Sequence, residues 1–93
     1  MNYSSFLYSV TAHCLTPINS DQDITISAGT ASLLIKADSE QDAIGHAMKA
    51  IAAAYEEDKE LSAIVSDKGG TVCIMDDNGH IVNHFWNFRS HRI

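Results

Sequence analysis

The chain has 93 residues, 45% of them hydrophobic, and carries 12 acidic against 6 basic side chains for a formal charge of −6. That is enough for one domain with a modest core and no obligatory disulfide. The acidity argues against general nucleic-acid binding through a basic footprint, and no run approaches the ~18 apolar residues of a membrane span.

In chain order, Phe6, Tyr8, Val10, Ala12 and Cys14 alternate with Leu7, Ser9, Thr11 and His13, the period of a half-buried strand. Residues 16–23 read as a polar loop, with Pro17 stopping the strand. Residues 24–37 form either one bent strand or two short ones, because Gly29 interrupts the pattern. Residues 33–37 are apolar and lead into Asp38 and Ser39, a helix start with negative charge at the positive end of the dipole. Ile44, Ala47, Met48, Ile51, Ala54 and Tyr55 then follow one helical face, opposite Asp42, His46, Lys49 and Glu56. Gly45 costs about 1 kcal/mol relative to Ala there, either tolerated near the helix start or kept for close backbone approach.

After the helix, residues 56–60 form a solvated exit and residues 61–66 a short apolar strand. Residues 67–70 form a turn. Residues 71–75 and 80–86 make a hairpin around Asp76-Asp77-Asn78-Gly79, the clearest turn signal in the chain. Residues 86–93 read as a tail. No repeat, low-complexity tract or linker is present. The expected fold is therefore one α+β domain over residues 1–93: an antiparallel sheet of four to five strands with one long helix on one face, in the order β-β-α-β-β-β.

Cys14 and Cys73 are far apart in sequence, and Met1-Asn2-Tyr3-Ser4-Ser5 lacks the positive start of an export signal. Free thiols in a cytoplasmic protein are the expectation.

Five histidines and two cysteines raise the question of metal. A two-residue hairpin loop at Asn78-Gly79 puts Cys73 opposite His84, and even spacing puts His80 on the same face. However, His80 and His84 lie roughly 13 Å apart along an extended strand, without the close spacing of a zinc site. A small metal-dependent or thiol enzyme using Cys73, His80 and His84 is the enzymatic alternative. Cys73 as a small core residue, with the histidines at edges, is the plainer reading. No cofactor is expected. His13 and Cys14 point to opposite faces of a strand, and no third catalytic member is defined. The acid pairs lie in a turn and at a solvated helix end, where acid–base catalysis has no buried group to use.

Charge is distributed unevenly. Residues 38–60 hold seven acids against two lysines, whereas no Asp or Glu occurs from Asn78 onward. His84-Phe85-Trp86-Asn87-Phe88-Arg89-Ser90-His91-Arg92 mixes aromatics and cations. Such a segment can finish the core and neutralise the helix, anchor a protein interface, or stack on single-stranded nucleic acid.

The strand–strand–helix–hairpin order, the size and the acidity resemble small phage-encoded inhibitors of the type I anti-CRISPR kind, with Ala37-Asp38-Ser39-Glu40 leading into Ala47-Met48-Lys49-Ala50 as the nearest local echo. The resemblance implies a stoichiometric binder that blocks a nucleoprotein machine by occupying a basic groove. It carries over no individual residue.

The first functional expectation is thus a non-enzymatic, cytoplasmic protein-interaction module. Its acidic surface is Asp38, Glu40, Asp42, Glu56, Glu57, Asp58 and Glu60, supplemented by Asp76 and Asp77, with Trp86, Arg89 and Arg92 as further contact candidates. Its partner is a protein with a basic surface, with no membrane and no general nucleic-acid binding. A homodimer joined through strand edges, without ligand, is the other alternative.

Overall fold

The computed structural model describes residues 5–19 and 24–93. Two long strands, β1 (Phe6–Asn19) and β2 (Ile24–Ala37), precede the helix α1 (Glu40–Glu56). Three strands come after it: β3 (Leu61–Ser66), β4 (Thr71–Asp76) and β5 (Ile81–Arg92). The five strands form one antiparallel sheet in the order β2-β1-β5-β4-β3. α1 crosses one face and touches every strand.

Ser39 caps the helix as expected. Its backbone is extended, and its hydroxyl accepts the Asp42 N–H at 3.1 Å. The buried face of α1 is shifted slightly from the expected one. Ala43, Ala47, Met48, Ile51 and Ala52 are buried, whereas Ala54 is exposed. Ala43, Ala47 and Ile51 recur every fourth residue along the stripe that Met48 and Ala52 complete, and Ala54 falls outside it. A methyl group built at Gly45 meets nothing within 4 Å. The glycine is therefore tolerated rather than required for close approach.

The core has two joined parts. Under the C-terminal half of α1, Met48, Ile51 and Ala52 pack with Val72, Ile74 and Phe85. Under its N-terminal half, Ala43 and Ala47 pack with Tyr8, Val10 and Ala37. Ile44 and Phe88 pack against both.

Two expectations are corrected and one open alternative is decided. First, β1 continues through Pro17 to Asn19, paired with β2 throughout. Pro17 is tolerated because β5 stops pairing with β1 at Leu15; beyond it β1 has a single neighbouring strand, where a missing N–H costs least. Residues 20–23 of the expected loop, and residues 1–4, lie outside the described residues. Second, residues 24–37 form one strand, with Gly29 opposite Cys14 in regular register. Third, residues 86–92, expected as a tail, are the second half of β5 and pair with β1 from His13↔Trp86 to Tyr8↔Arg92.

The molecule is elongated, 58 × 24 × 21 Å, with a radius of gyration of 14.8 Å against about 12 Å for a compact chain of this length. The long β1–β2 ribbon accounts for this: 14 residues span roughly 45 Å at strand rise.

Candidate interaction surfaces

The acidic residues fall into two groups. Glu56, Glu57, Asp58 and Glu60 leave the end of α1, and the register Leu61↔Asp76 sets the Asp76-Asp77 turn beside them. Six carboxylates thus gather at one end of the molecule, with Lys59 as the one cation in residues 56–60. Asp38, Glu40 and Asp42 stand at the other end of the helix, roughly 25 Å away at 1.5 Å per residue. Among the described residues, no Lys or Arg comes within 4.0 Å of these carboxylates.

Asp76 has a local task as well. Its Oδ1 accepts the N–H groups of Asn78 at 3.0 Å and His80 at 2.8 Å. Gly79, at φ 81°, closes the turn as expected of Asn-Gly. The remaining acids of this end are exposed and, apart from Asp58 capping the Glu60 N–H at 3.0 Å, free to meet another surface.

The proposed metal-ligand set comes together only in part. Cys73 pairs with His84 across the hairpin. His80 sits in the turn, its Nδ1 3.6 Å from Asp76 Oδ2. Among the described residues, no group of three or more His, Cys, Asp or Glu could hold a metal ion. Cys14 and Cys73 are both free; Cys14 faces α1 and Cys73 the opposite side, so the two thiols cannot meet. Nor can Cys14 reach His84, whose strand position puts it on that opposite side.

Cys14 instead belongs to a polar knot that sequence patterns did not reveal. Asn83 Oδ1 accepts from Cys14 Sγ at 3.1 Å and from Thr16 Oγ1 at 2.6 Å, while its Nδ2 donates to Tyr55 Oη at 2.6 Å. One amide therefore ties β1, β5 and α1 together, and its hydrogen bonds satisfy polar groups at the rim of the apolar core.

The fate of the C-terminal segment depends on one backbone position. Asn87 has φ 55°, and the β1–β5 register slips by one between Thr11 and His13. This β-bulge re-aims the side chains C-terminal to it. Phe85 and Phe88, three apart, both enter the core. Trp86 and Arg89, also three apart, both emerge on the face away from α1. Arg92 lies 3.6 Å from the Phe6 ring centre as a cation–π contact; neither arginine neutralises the helix acids.

On that open face three rings form a row. Trp86 stands opposite His13, with ring centroids 5.4 Å apart. His84 stacks on Trp86 at 5.6 Å and 27°. Beside them lies an open recess of about 220 Å³ lined by Thr11, Ala12, His13, Thr30, Asn87 and Arg89.

No family model, curated protein or solved structure matches the chain. Among the described residues, no helix is long and apolar enough to cross a membrane.

Proposed function

We propose that the protein is a small, non-enzymatic, cytoplasmic interaction module that binds a basic surface of a nucleic-acid-handling complex, in the manner of phage-encoded inhibitors of the anti-CRISPR kind. The observation that carries this reading is the gathering of Glu56, Glu57, Asp58, Glu60, Asp76 and Asp77 at one end of the fold without Lys or Arg partners among the described residues. Carboxylates without a Lys or Arg partner repel one another in the isolated protein. They become favourable when a basic partner approaches, and they steer its encounter. The second group, Asp38, Glu40 and Asp42, is far enough away to meet a different part of the same partner. Trp86, Arg89 and Arg92 are not part of this acidic end.

Reversal of charge tests the reading. Replacing Glu56, Glu57, Asp58 and Glu60 by Lys touches exposed positions and removes one local bond, that of Asp58 to the Glu60 N–H, so the protein stays folded with a thermal midpoint lower by no more than a few degrees. Partner association should fall at least about tenfold and lose most of its salt dependence. Association that survives the four reversals at moderate salt rules the acidic end out as the docking surface.

A further inference from the structure

We propose that the sheet face opposite α1 is a stacking site for a short single-stranded nucleic acid. It rests on other observations than the acidic end does, and either can hold without the other.

A two-layer fold with one helix leaves the second sheet face without a covering layer, and here that face carries particular chemistry. The rings of His13, Trp86 and His84 pack on one another at centroid distances of 5.4 and 5.6 Å and form one aromatic row across β1 and β5. The Asn87 bulge sets Arg89 on the same side. There the guanidinium, the His13 imidazole and the hydroxyls of Thr11 and Thr30 border the 220 Å³ recess. Lys36, on β2 opposite Leu7, is a second cation at a position of this face. Among the described residues, no Asp or Glu occupies a strand position of this face. The charge of −6 belongs to the whole chain; among the described residues the acids lie on the helix layer and in the turns rather than on this face.

Those groups match the two parts of a nucleotide. Unpaired bases present π-faces that stack on indole and imidazole in any sequence, and their phosphates seek guanidinium, ammonium and hydroxyl donors. A recess with Arg89 on its rim and no carboxylate is suited to one phosphate, while bases lie on Trp86 and His84. A duplex hides its base faces, and the face lacks the broad basic footprint that duplex binding requires. An acidic peptide would use the cations but leave the rings without partners.

Trp86 is the single tryptophan and reports on its own site. The intact protein is titrated with a labelled single-stranded RNA of about 10 nucleotides at about 50 mM salt, following Trp86 emission and label anisotropy together. The expected result is saturable quenching that coincides with the anisotropy rise, with little response to the same sequence as a duplex. Raising salt from about 50 to about 200 mM should weaken binding about sevenfold if two phosphates are neutralised, and Arg89→Ala should reduce that salt dependence. Trp86→Ala should weaken binding about tenfold or more. If this variant does not fold, the wild-type quenching and Arg89→Ala still decide. Reversal of the acidic end should leave quenching in place. Four results would overturn the proposal: flat emission and anisotropy, equal binding of the duplex, competition by polyglutamate as effective as by the strand, or Trp86 emission that changes only with protein concentration. The last would show that a second copy occupies the face.

Discussion

Asn83 and Asn87 are two residues of one type in one strand with unrelated tasks. Asn83 spends its side chain on three partners, Cys14, Thr16 and Tyr55. Asn83→Ala strands the Tyr55 and Thr16 hydroxyls at the core rim and should cost about 2 kcal/mol, read as a lower denaturant midpoint. Cys14→Ala removes only a weak thiol donor and should cost clearly less. Asn87 contributes its backbone. A left-handed φ of 55° suits Asn or Gly and penalises β-branched side chains. Asn87→Val should therefore destabilise by about 1–2 kcal/mol, while Asn87→Gly stays near neutral in the same denaturation series. Neither role is visible in the sequence. An Asn in an alternating strand gives no signal of a half-buried amide bridge. Likewise, an Asn between Trp and Phe gives no signal of a bulge that reverses the alternation after it.

The helix and the β4–β5 hairpin are legible in the sequence because their signals are local. Ser39 caps α1 where the sequence places the cap, and Gly79 takes the left-handed turn position. Ser39→Ala should cost about 1 kcal/mol. Gly45→Ala, which adds a methyl group to open space, should stabilise by about 1 kcal/mol; thermal unfolding of the two single variants checks both signs. The long strands are less legible because proline and glycine, taken by local propensity alone, point to interruptions. Pro17 and Gly29 both lie inside regular strands, in a ribbon whose cross-strand pairing outweighs that preference. The mistaken tail has the same origin. Residues 86–92 gain their order from β1, in pairs from His13↔Trp86 to Tyr8↔Arg92 that join opposite ends of the chain, a pairing that no local pattern announces.

At the scale of the whole molecule, the α+β class, the single helix and the element order can be read from alternation and helical periodicity. The strand order β2-β1-β5-β4-β3 cannot, since it depends on the long-range β1–β5 pairing. That pairing also decides the candidate surfaces. It sets Trp86 beside His13 and Arg89 beside Thr11 on the open face, while the β3–β4 register brings the Asp76-Asp77 turn to the acids at the end of α1. Among the described residues, the uneven charge along the sequence becomes a partial separation in space: carboxylates on the helix layer and its neighbouring turns, and Arg89, Lys36 and the ring row on the opposite sheet face. The proposed function rests on the acidic end. The most direct test is capture from cells of the native host with a tagged protein, with and without nuclease, comparing the wild type with the variant reversed at Glu56, Glu57, Asp58 and Glu60. The account predicts near-stoichiometric recovery of one nucleic-acid-handling complex by the wild type, surviving nuclease, and its loss with the reversed variant. Equal recovery by both proteins, or recovery of the tagged protein alone, would contradict it.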